Sequence, residues 1–452
     1  MKAVTIKKGY RFRMSGTPAK DVGSLGDPSQ IALCAAKIPF IRPRLKVSQG
    51  DTVRVGSVLM EDKRRPAIRF LSPAAGTVSR IQLGPRRVIE AVIIDRDSDE
   101  IHADLPAIHR GRLETMARES LVEHILQGGL WWIFRELPYR NLPSPTTVPP
   151  LIMVSLDAKE PFQPSPAVYL EGCMDLFHYG VKALEKLSHG QVVISADHRN
   201  TDVINRCHAV ITHTVSGKYP SDDPATLLYH IKQSADQNRA WTITGQDVIL
   251  LAQMLRHGRY PTERIIAVGG SEALDGRHYR TRIGVPLSHL IDASQDTSQS
   301  RIVVGGLMRG HAAGPEDFLD LQATAVTLVP KGEQARFLAL FNPGPTMPSY
   351  SRTFLSRLNP GKLVYDCNLN GGRRACIACM HCADVCPVNM LPQMVYKAIQ
   401  AEEIEEALQH GLLDCVECGL CSYVCPSKIE LSQTFKTAKA TYAKEIGRDS
   451  AA

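Results

Sequence analysis

No stretch of this sequence reaches the ~18 to 20 consecutive apolar residues that a bilayer-spanning helix needs, and the best run, Val248 to Leu255, stops well short. The opening MKAVTIKKGYRFR carries charge but no apolar core of the kind a secretory signal has, so the chain is expected in the cytoplasm. Low-complexity tracts are absent, and so is any dense basic block. The formal net charge is +7, but Lys and Arg are scattered. That argues against a nucleic-acid binder and makes an acidic protein partner or a membrane surface the expected reader of the charge. With 44% hydrophobic and 22% charged residues the composition is that of an ordinary globular chain, which excludes a disordered, fibrous or coiled-coil protein. At 452 residues it is too long for one core and should divide into three or four domains.

What is present in quantity is cysteine, and it is present in one place. Of twelve Cys, eight lie between Cys376 and Cys425. They form Cys376-Ile-Ala-Cys379-Met-His-Cys382-Ala-Asp-Val-Cys386-Pro387 and Cys415-Val-Glu-Cys418-Gly-Leu-Cys421-Ser-Tyr-Val-Cys425-Pro426, each C-x2-C-x2-C-x3-C-P. Clustered thiols in a long chain point to metal in a reducing compartment rather than to a disulfide framework. The first three sulfurs of such a run can face three corners of an iron–sulfur cubane, and in two-cluster proteins the fourth ligates the other cluster. The expected sets are therefore Cys376, Cys379, Cys382 and Cys425 for one [4Fe-4S] cluster, and Cys415, Cys418, Cys421 and Cys386 for the other. Structural zinc would leave sulfurs of each motif and both prolines unexplained, and a single structural cluster would not need the motif twice. Two adjacent clusters imply one-electron transfer. The residues between the motifs have apolar positions at helical spacing (Leu391, Val395, Ala398, Ile399, Ile404, Ala407, Leu408), which predicts two short helices and a helical ferredoxin-type domain. Cys34, Cys173, Cys207 and Cys367 lack ligand spacing and read as buried thiols, with Cys367 near enough in sequence to be weighed as a fifth ligand. His208 and His213 read as strand or loop residues.

Upstream, residues 38–95 are short strands broken by Gly and Pro, a compact β module of the biotinyl/lipoyl barrel-sandwich kind. GDTVRVGSVL is read as one hairpin and SPAAGTVSRI as its return. Lys63 sits where such modules carry a modified lysine, but Arg64, Arg65 and Pro66 do not suit a lipoylation hairpin. A helical stretch over 103–142 leads to a Pro-rich linker, LPSPTTVPP, at 142–150. Apolar strands then alternate with helices, which implies a Rossmann-like parallel sheet covered on both faces. From Glu263 to about Leu340 short strands and glycines return, as a β-grasp domain would give. The expected domains are 1–102 (barrel-sandwich), 103–262 (α/β), 263–345 (β-grasp, SLBB-like) and 346–452 (helical ferredoxin-type).

In that order the modules resemble the A subunits of the Na+-translocating NADH:quinone oxidoreductases (the NqrA family) and, more distantly, the C subunits of the Rnf complexes. The resemblance runs through Ile6 to Gly9, SGTP at 15–18, IRPRLKVSQGD, EDKRRPAIRFLSPAAGTV, GGLWWIFRELPYRNLP at 128–143, THTVSGKYP, WTITGQDV, YRTRIG and SRTFLSRL. The A subunits of that family keep only a vestige of the second cysteine motif, so this chain looks like an A-type body with a C-type tail. The Rnf C subunits bind flavin mononucleotide and NADH on a glycine-rich loop; here the matching region is GGLWWIFRELPYR, whose bulky Trp131, Trp132 and Phe134 would block a phosphate cradle and argue against flavin mononucleotide. The same aromatics make a quinone the candidate ligand, at Trp131, Trp132, Phe134, Arg135 and Tyr139 with Phe40 and Arg42. The alternative is that these residues pack an interface between domains.

The resemblance implies an electron-transfer subunit of a membrane-associated NADH:quinone oxidoreductase, peripheral on the inner face of the cell membrane through membrane and flavin subunits that carry any Na+ translocation. Two rivals are an Rnf-like subunit that binds NADH and flavin, and a docking or assembly subunit whose clusters only brace the tail.

Overall fold

The computed structural model describes residues 1–291, 295–333, 344–350 and 354–449, so the end of the third expected domain (334–343) and the first residues of the SRTFLSRL segment lie outside the described residues. The first β module takes its strands from Gln30 onward. Ile89–Arg96 pairs antiparallel with both Gln30–Cys34 and Gly76–Leu83, and a second layer holds Pro43–Leu45, Val58–Asp62 and Arg65–Leu71. Alternation puts Ile31, Leu33, Leu59, Phe70, Val78, Val92 and Ile94 into the space between the layers, where all are fully buried. GDTVRVGSVL is not a hairpin: Thr52–Val53 pairs with Gly76 and Thr77, whereas Val58–Asp62 joins the other layer. Between them Gly56, at φ +91°, turns the chain from one layer to the other. Lys63 is exposed in the turn between Val58–Asp62 and Arg65–Leu71.

The stretch after 103 forms helices Arg110–Thr115 and Arg118–Gln127. The chain stops its helix at Gly128 and Gly129; Gly129 has φ +64°, and a Cβ there would lie 2.3 Å from Leu71. The Pro-rich linker that follows is held at its start, since Trp131 Nε1 donates to the Pro143 carbonyl at 2.9 Å and Arg65 Nη1 to that of Leu142 at 3.0 Å.

A six-stranded sheet comes next, in the order Lys2–Ile6, His213–Gly217, Val192–Asp197, Ile152–Leu156, Trp241–Thr244, Arg135–Glu136. Its first five strands are parallel and the last is antiparallel. Helices Met174–Leu187 and Gly245–His257 bury Phe177, Leu184, Val248 and Leu251 against one another and the sheet. A second six-stranded sheet is mixed, in the order His311–Ala313, Ser300–Val304, Ala325–Pro330, Glu263–Gly269, Arg277–Arg282, Ala19–Ser24. Two strands that precede the barrel-sandwich, Lys2–Ile6 and Ala19–Ser24, are thus edge strands of the other two sheets, and the first 24 residues tie the domains together.

The C-terminal region is helical: His381–Val385, Pro392–Gln400, Ile404–Gln409, Leu420–Tyr423 and Leu431–Asp449. Its core of Val385, Val395, Ala398, Ala407, Leu412, Leu420 and Phe435 includes one residue from the α/β domain, Tyr219. No helix among the described residues is long and apolar enough to cross a membrane.

Candidate iron–sulfur centre

Each cysteine motif is a tight loop followed by a short helix, and the two loops repeat in backbone as well as in sequence. The left-handed residues are Ala378, Met380 and Asn389 in the first (φ +54°, +65°, +53°) and Glu417, Gly419 and Lys428 in the second (φ +56°, +77°, +55°), at matching positions. Left-handed backbone between cysteines winds each loop tightly, the kind of compact turn that ligands to the separate corners of a cubane require.

The fourth cysteine of each run leaves its own loop. Cys386 shares a buried region with Cys415, Cys418 and Cys421, close enough that the thiols act on one another electrostatically. In return, the Ser427 hydroxyl donates to the Ala375 carbonyl at 2.8 Å, and the Arg374 amide donates to the Ser427 carbonyl at 2.8 Å. The chain just past Cys425 is thereby fastened to the start of the first loop. Among the described residues no three His, Cys, Asp or Glu side chains converge as they would on a single metal ion, a convergence that a cluster with four separate irons does not ask for.

The chemistry of the donors fits such a group. Burial pushes the Cys382 thiol up to about 11 and those of Cys386 and Cys418 to about 12, and raises Cys421 well above its ordinary value. Bare, these side chains are neutral at pH 7, and only a bound cation would make ionisation of so many worthwhile. Backbone amides already face the sulfurs, those of Val388 and Met390 at Cys386 and that of Leu420 at Cys418. Such hydrogen bonds tune a cluster's potential.

The two loops differ in surroundings. Cys379 is exposed, and Ile377 beside it is 67% exposed. The second loop is enclosed through its carbonyls, by the α/β domain and by the last helix. Tyr219 Oη donates to Cys418 O at 2.8 Å, Arg140 Nη2 to Val416 O at 3.0 Å and Lys439 Nζ to Cys415 O at 3.0 Å. Behind them lies a charged cluster that sequence patterns do not mark. Asp223 accepts Arg140 at 2.8 Å and Arg309 at 2.6 Å, and Arg309 lies over the Tyr219 ring at 5.6 Å. The chain after the strand His213–Gly217 supplies Tyr219 and Asp223, so the carboxyl end of the parallel sheet, where α/β domains open a ligand crevice, is here partly filled by the cysteine domain. A Cβ at Gly245, which begins the helix after Trp241–Thr244, would lie 2.5 Å from Leu156 and 2.6 Å from the Tyr169 hydroxyl, so that helix start is closed too.

The seven residues expected at a quinone separate into two groups. Trp131, Trp132 and Phe134 are wholly buried; Trp131 and Phe134 pack edge to face and tilted against each other and Trp241 at centroid distances of 5.4 to 5.6 Å, and Arg264 lies over the Trp132 ring at 5.9 Å. They fill the joint between the barrel-sandwich and the α/β core, the packing role that was the alternative to a ligand site. Phe40, Arg42, Arg135 and Tyr139 instead line an open groove of about 1470 Å3 that runs between the barrel-sandwich and the last helix. Of the remaining cysteines, Cys207 lies in the α/β core, and Cys367 packs with Met14, Phe162 and Val329, a group separate from the cysteine-motif core. His213 is a buried strand residue, and His208 lies exposed in a turn.

Three family models match the chain: the NqrA N-terminal barrel-sandwich hybrid domain over residues 4–97, the NqrA second alpha/beta domain over 116–260, and a 4Fe-4S dicluster domain over 375–429. The A subunit of the Na(+)-translocating NADH-quinone reductase from Rhodopirellula baltica is 30% identical over 90% of this chain and 91% of its own length. The chain belongs to that family. The A subunits from Hahella chejuensis and Histophilus somni, 29% and 28% identical, each align over 91% of this chain and 92% of theirs. The family models describe an N-terminal barrel-sandwich and a second α/β domain, and in this chain the C-terminal cysteine-bearing helices form a 4Fe-4S domain.

Proposed function

We propose that this chain is an electron-transfer subunit of a Na+-translocating NADH–quinone reductase type of complex, with two 4Fe-4S clusters, one on Cys376, Cys379, Cys382 and Cys425 and the other on Cys415, Cys418, Cys421 and Cys386. The observation that carries this reading is that the two motifs share one core, in which Cys386 of the first acts electrostatically on Cys415 and Cys418 of the second. Two adjacent clusters, when bound, supply one-electron transfer over a short path. The chain's own residues do the positioning: Tyr219, Arg140 and Lys439 hold the carbonyls of the second loop, and Cys382, Cys386 and Cys418 are buried in the core of the domain while Cys379 is exposed. In this reading residues 103–262 are a Rossmann-like domain and 263–345 a β-grasp domain. Membrane and flavin subunits are the partners, and through them the chain sits on the inner face of the cell membrane. The residues expected at a quinone are divided between the core, with Trp131, Trp132 and Phe134, and the groove, with Phe40, Arg42, Arg135 and Tyr139, so a quinone on this chain would meet the groove group alone.

Iron and sulfide analysis with low-temperature electron paramagnetic resonance tests the reading. It predicts about eight iron per chain, and about four in Cys418→Ser, with Cys207→Ser unchanged. About four in the unaltered chain refutes the pair. Full turnover of an assembled complex carrying Cys418→Ser would instead mean that the clusters only brace the tail.

A further inference from the structure

The groove between the barrel-sandwich and the last helix has cations on both walls. Lys37, Arg42 and Arg64 stand on the barrel-sandwich side, Lys436 and Lys444 on the helix Leu431–Asp449, and Arg135 between them. None of these six is in a salt bridge among the described residues, whereas the acidic side chains of the groove, Glu136 and Glu417, are already taken by Arg239 at 3.4 Å and Lys439 at 2.7 Å. Arg135 has a buried Nη2 with no hydrogen-bond partner, and Arg309, at the inner end, has two such atoms, Nε and Nη2. Burial pulls Arg135 down to about 9, still charged at neutral pH. Cations without an ion-pair partner gathered in one concavity keep a positive potential there, which an arriving anion relieves.

The anion is not a small one. The groove exceeds the ~300 to 1,000 Å3 of small-molecule pockets, and its charges do not converge on a point. Lys436 and Lys444, eight positions apart, are separated by roughly 12 Å along the helix. Thr437, Ala440 and Ala443, small side chains along the same wall, leave room for a main chain to pass. A phosphate or diphosphate could satisfy one end only. A polypeptide with carboxylates along its length meets both walls, and the guanidinium forks of Arg42, Arg64 and Arg135 suit carboxylates.

We propose that this groove docks an acidic polypeptide segment of a partner protein, beside the second cysteine motif. The inference is independent of the electron-relay reading, because it is tested by binding without turnover. The full-length chain is titrated into a fluorescently labelled peptide of about ten glutamates, long enough at ~3.3 Å per residue to run past both lysines, and anisotropy is followed at rising salt. Saturable binding that weakens with salt is expected, with a loss of about tenfold or more in Lys436→Glu/Lys444→Glu and also in Arg42→Glu on the opposite wall. The double reversal Lys7→Glu/Lys20→Glu, at exposed lysines that line no part of the groove, should change it less than about twofold. Far-ultraviolet circular dichroism confirms that each variant is folded. Equal losses from groove and remote reversals would overturn the proposal. So would stoichiometric displacement of the peptide by pyrophosphate, which would mark a small-anion site. Binding to phosphatidylglycerol vesicles, abolished by the groove reversals while peptide binding survives, would make the surface a membrane contact and likewise overturn it.

Discussion

Asp223 is the residue on which the α/β domain, the third domain and the cysteine domain all bear, so replacing it with Asn tests whether that joint holds the second cysteine loop. Its side chain is 1% exposed and accepts Arg140 at 2.8 Å, Arg309 at 2.6 Å and the Ala225 amide at 2.7 Å. Arg140 reaches onward to the Val416 carbonyl. Burial acts to push the Asp223 carboxyl up, but Arg140 and Arg309 outweigh it and hold the group below the usual carboxylate range. Asn keeps the shape and removes the charge, leaving two guanidiniums near each other without their anion. Breaking a buried pair in this way costs about 3 to 5 kcal/mol. If the cost falls on docking, the open population of the second loop rises by about two to three and a half powers of ten. Hydrogen exchange of the intact chain reads this directly at the Tyr423 and Val424 amides, which donate to Gly419 and Leu420 within that loop's helix. Lys182→Ala, which removes an exposed pair with Glu185, should leave exchange there unchanged. Because the folded carboxyl is depressed, its contribution is complete at neutral pH and down to the ordinary value of ~3.9, then is lost as pH falls through the folded value. Asp223→Asn should therefore flatten that acid limb. Unaltered exchange at Tyr423 and Val424 in a folded Asp223→Asn chain would refute the argument.

Three further predictions concern Gly419, Trp131 and Asp157. Gly419→Ala should destabilise the cysteine domain by about 1 to 3 kcal/mol in a denaturant melt, since φ is +77° and the new Cβ would lie 2.9 Å from the Met308 carbonyl; Met380→Gly, at the equivalent left-handed position of the exposed loop, should be neutral or better. Trp131→Ala should cost about 3 to 5 kcal/mol in urea unfolding, and labelling by a quinone photoprobe should be no lower in Trp131→Phe than in the unaltered chain. Burial raises the Asp157 carboxyl to about 6, with Lys159 opposing. A raised acid favours its protonated form on folding, so Asp157 takes away stability as pH climbs from ~4 to 6. Asp157→Asn, with Lys159 still paired to Asp197, should be more stable than the parent at pH 8, by on the order of 1 to 3 kcal/mol, and no more stable at pH 4; thermal melts at the two pH values decide.

The 4Fe-4S domain was legible because spacing along the chain is itself the signal: two cysteines with two residues between them need no distant partner to be recognised. The barrel-sandwich was legible through its strand pattern, but its hairpin assignment was not, because Thr52–Val53 and Val58–Asp62 are neighbours in sequence and belong to different layers. Lys2–Ile6 and Ala19–Ser24 look like the beginning of that module, yet they pair with strands some 200 to 260 positions away. Nothing local distinguishes an edge strand of one sheet from another. Trp131 and Phe134 are ambiguous for a similar reason: aromatic side chains serve a ligand or a core equally well, and their packing partner Trp241 is a residue over a hundred positions on. The groove was invisible because its cations come from four separated stretches, each unremarkable alone.

One part of the three-dimensional arrangement is nevertheless written in the difference between the two motifs. Aligned cysteine to cysteine, the first loop reads Ile377, Ala378, Met380 and the second Val416, Glu417, Gly419. A loop that closed only around its own ligands would have no reason to demand glycine at one of two equivalent left-handed positions; Gly419 is needed because the Met308 backbone lies against it. Glu417 has a buried partner in Lys439, and Val416 is 2% exposed where Ile377 is 67% exposed. Each departure of the second motif from the first therefore corresponds to a contact with another part of the chain, whereas the first keeps apolar side chains at the surface near the exposed Cys379. Identical ligand spacing sets the chemistry of both loops, and the intervening residues set their facing: the second toward its own domains and the basic groove, the first toward whatever lies outside.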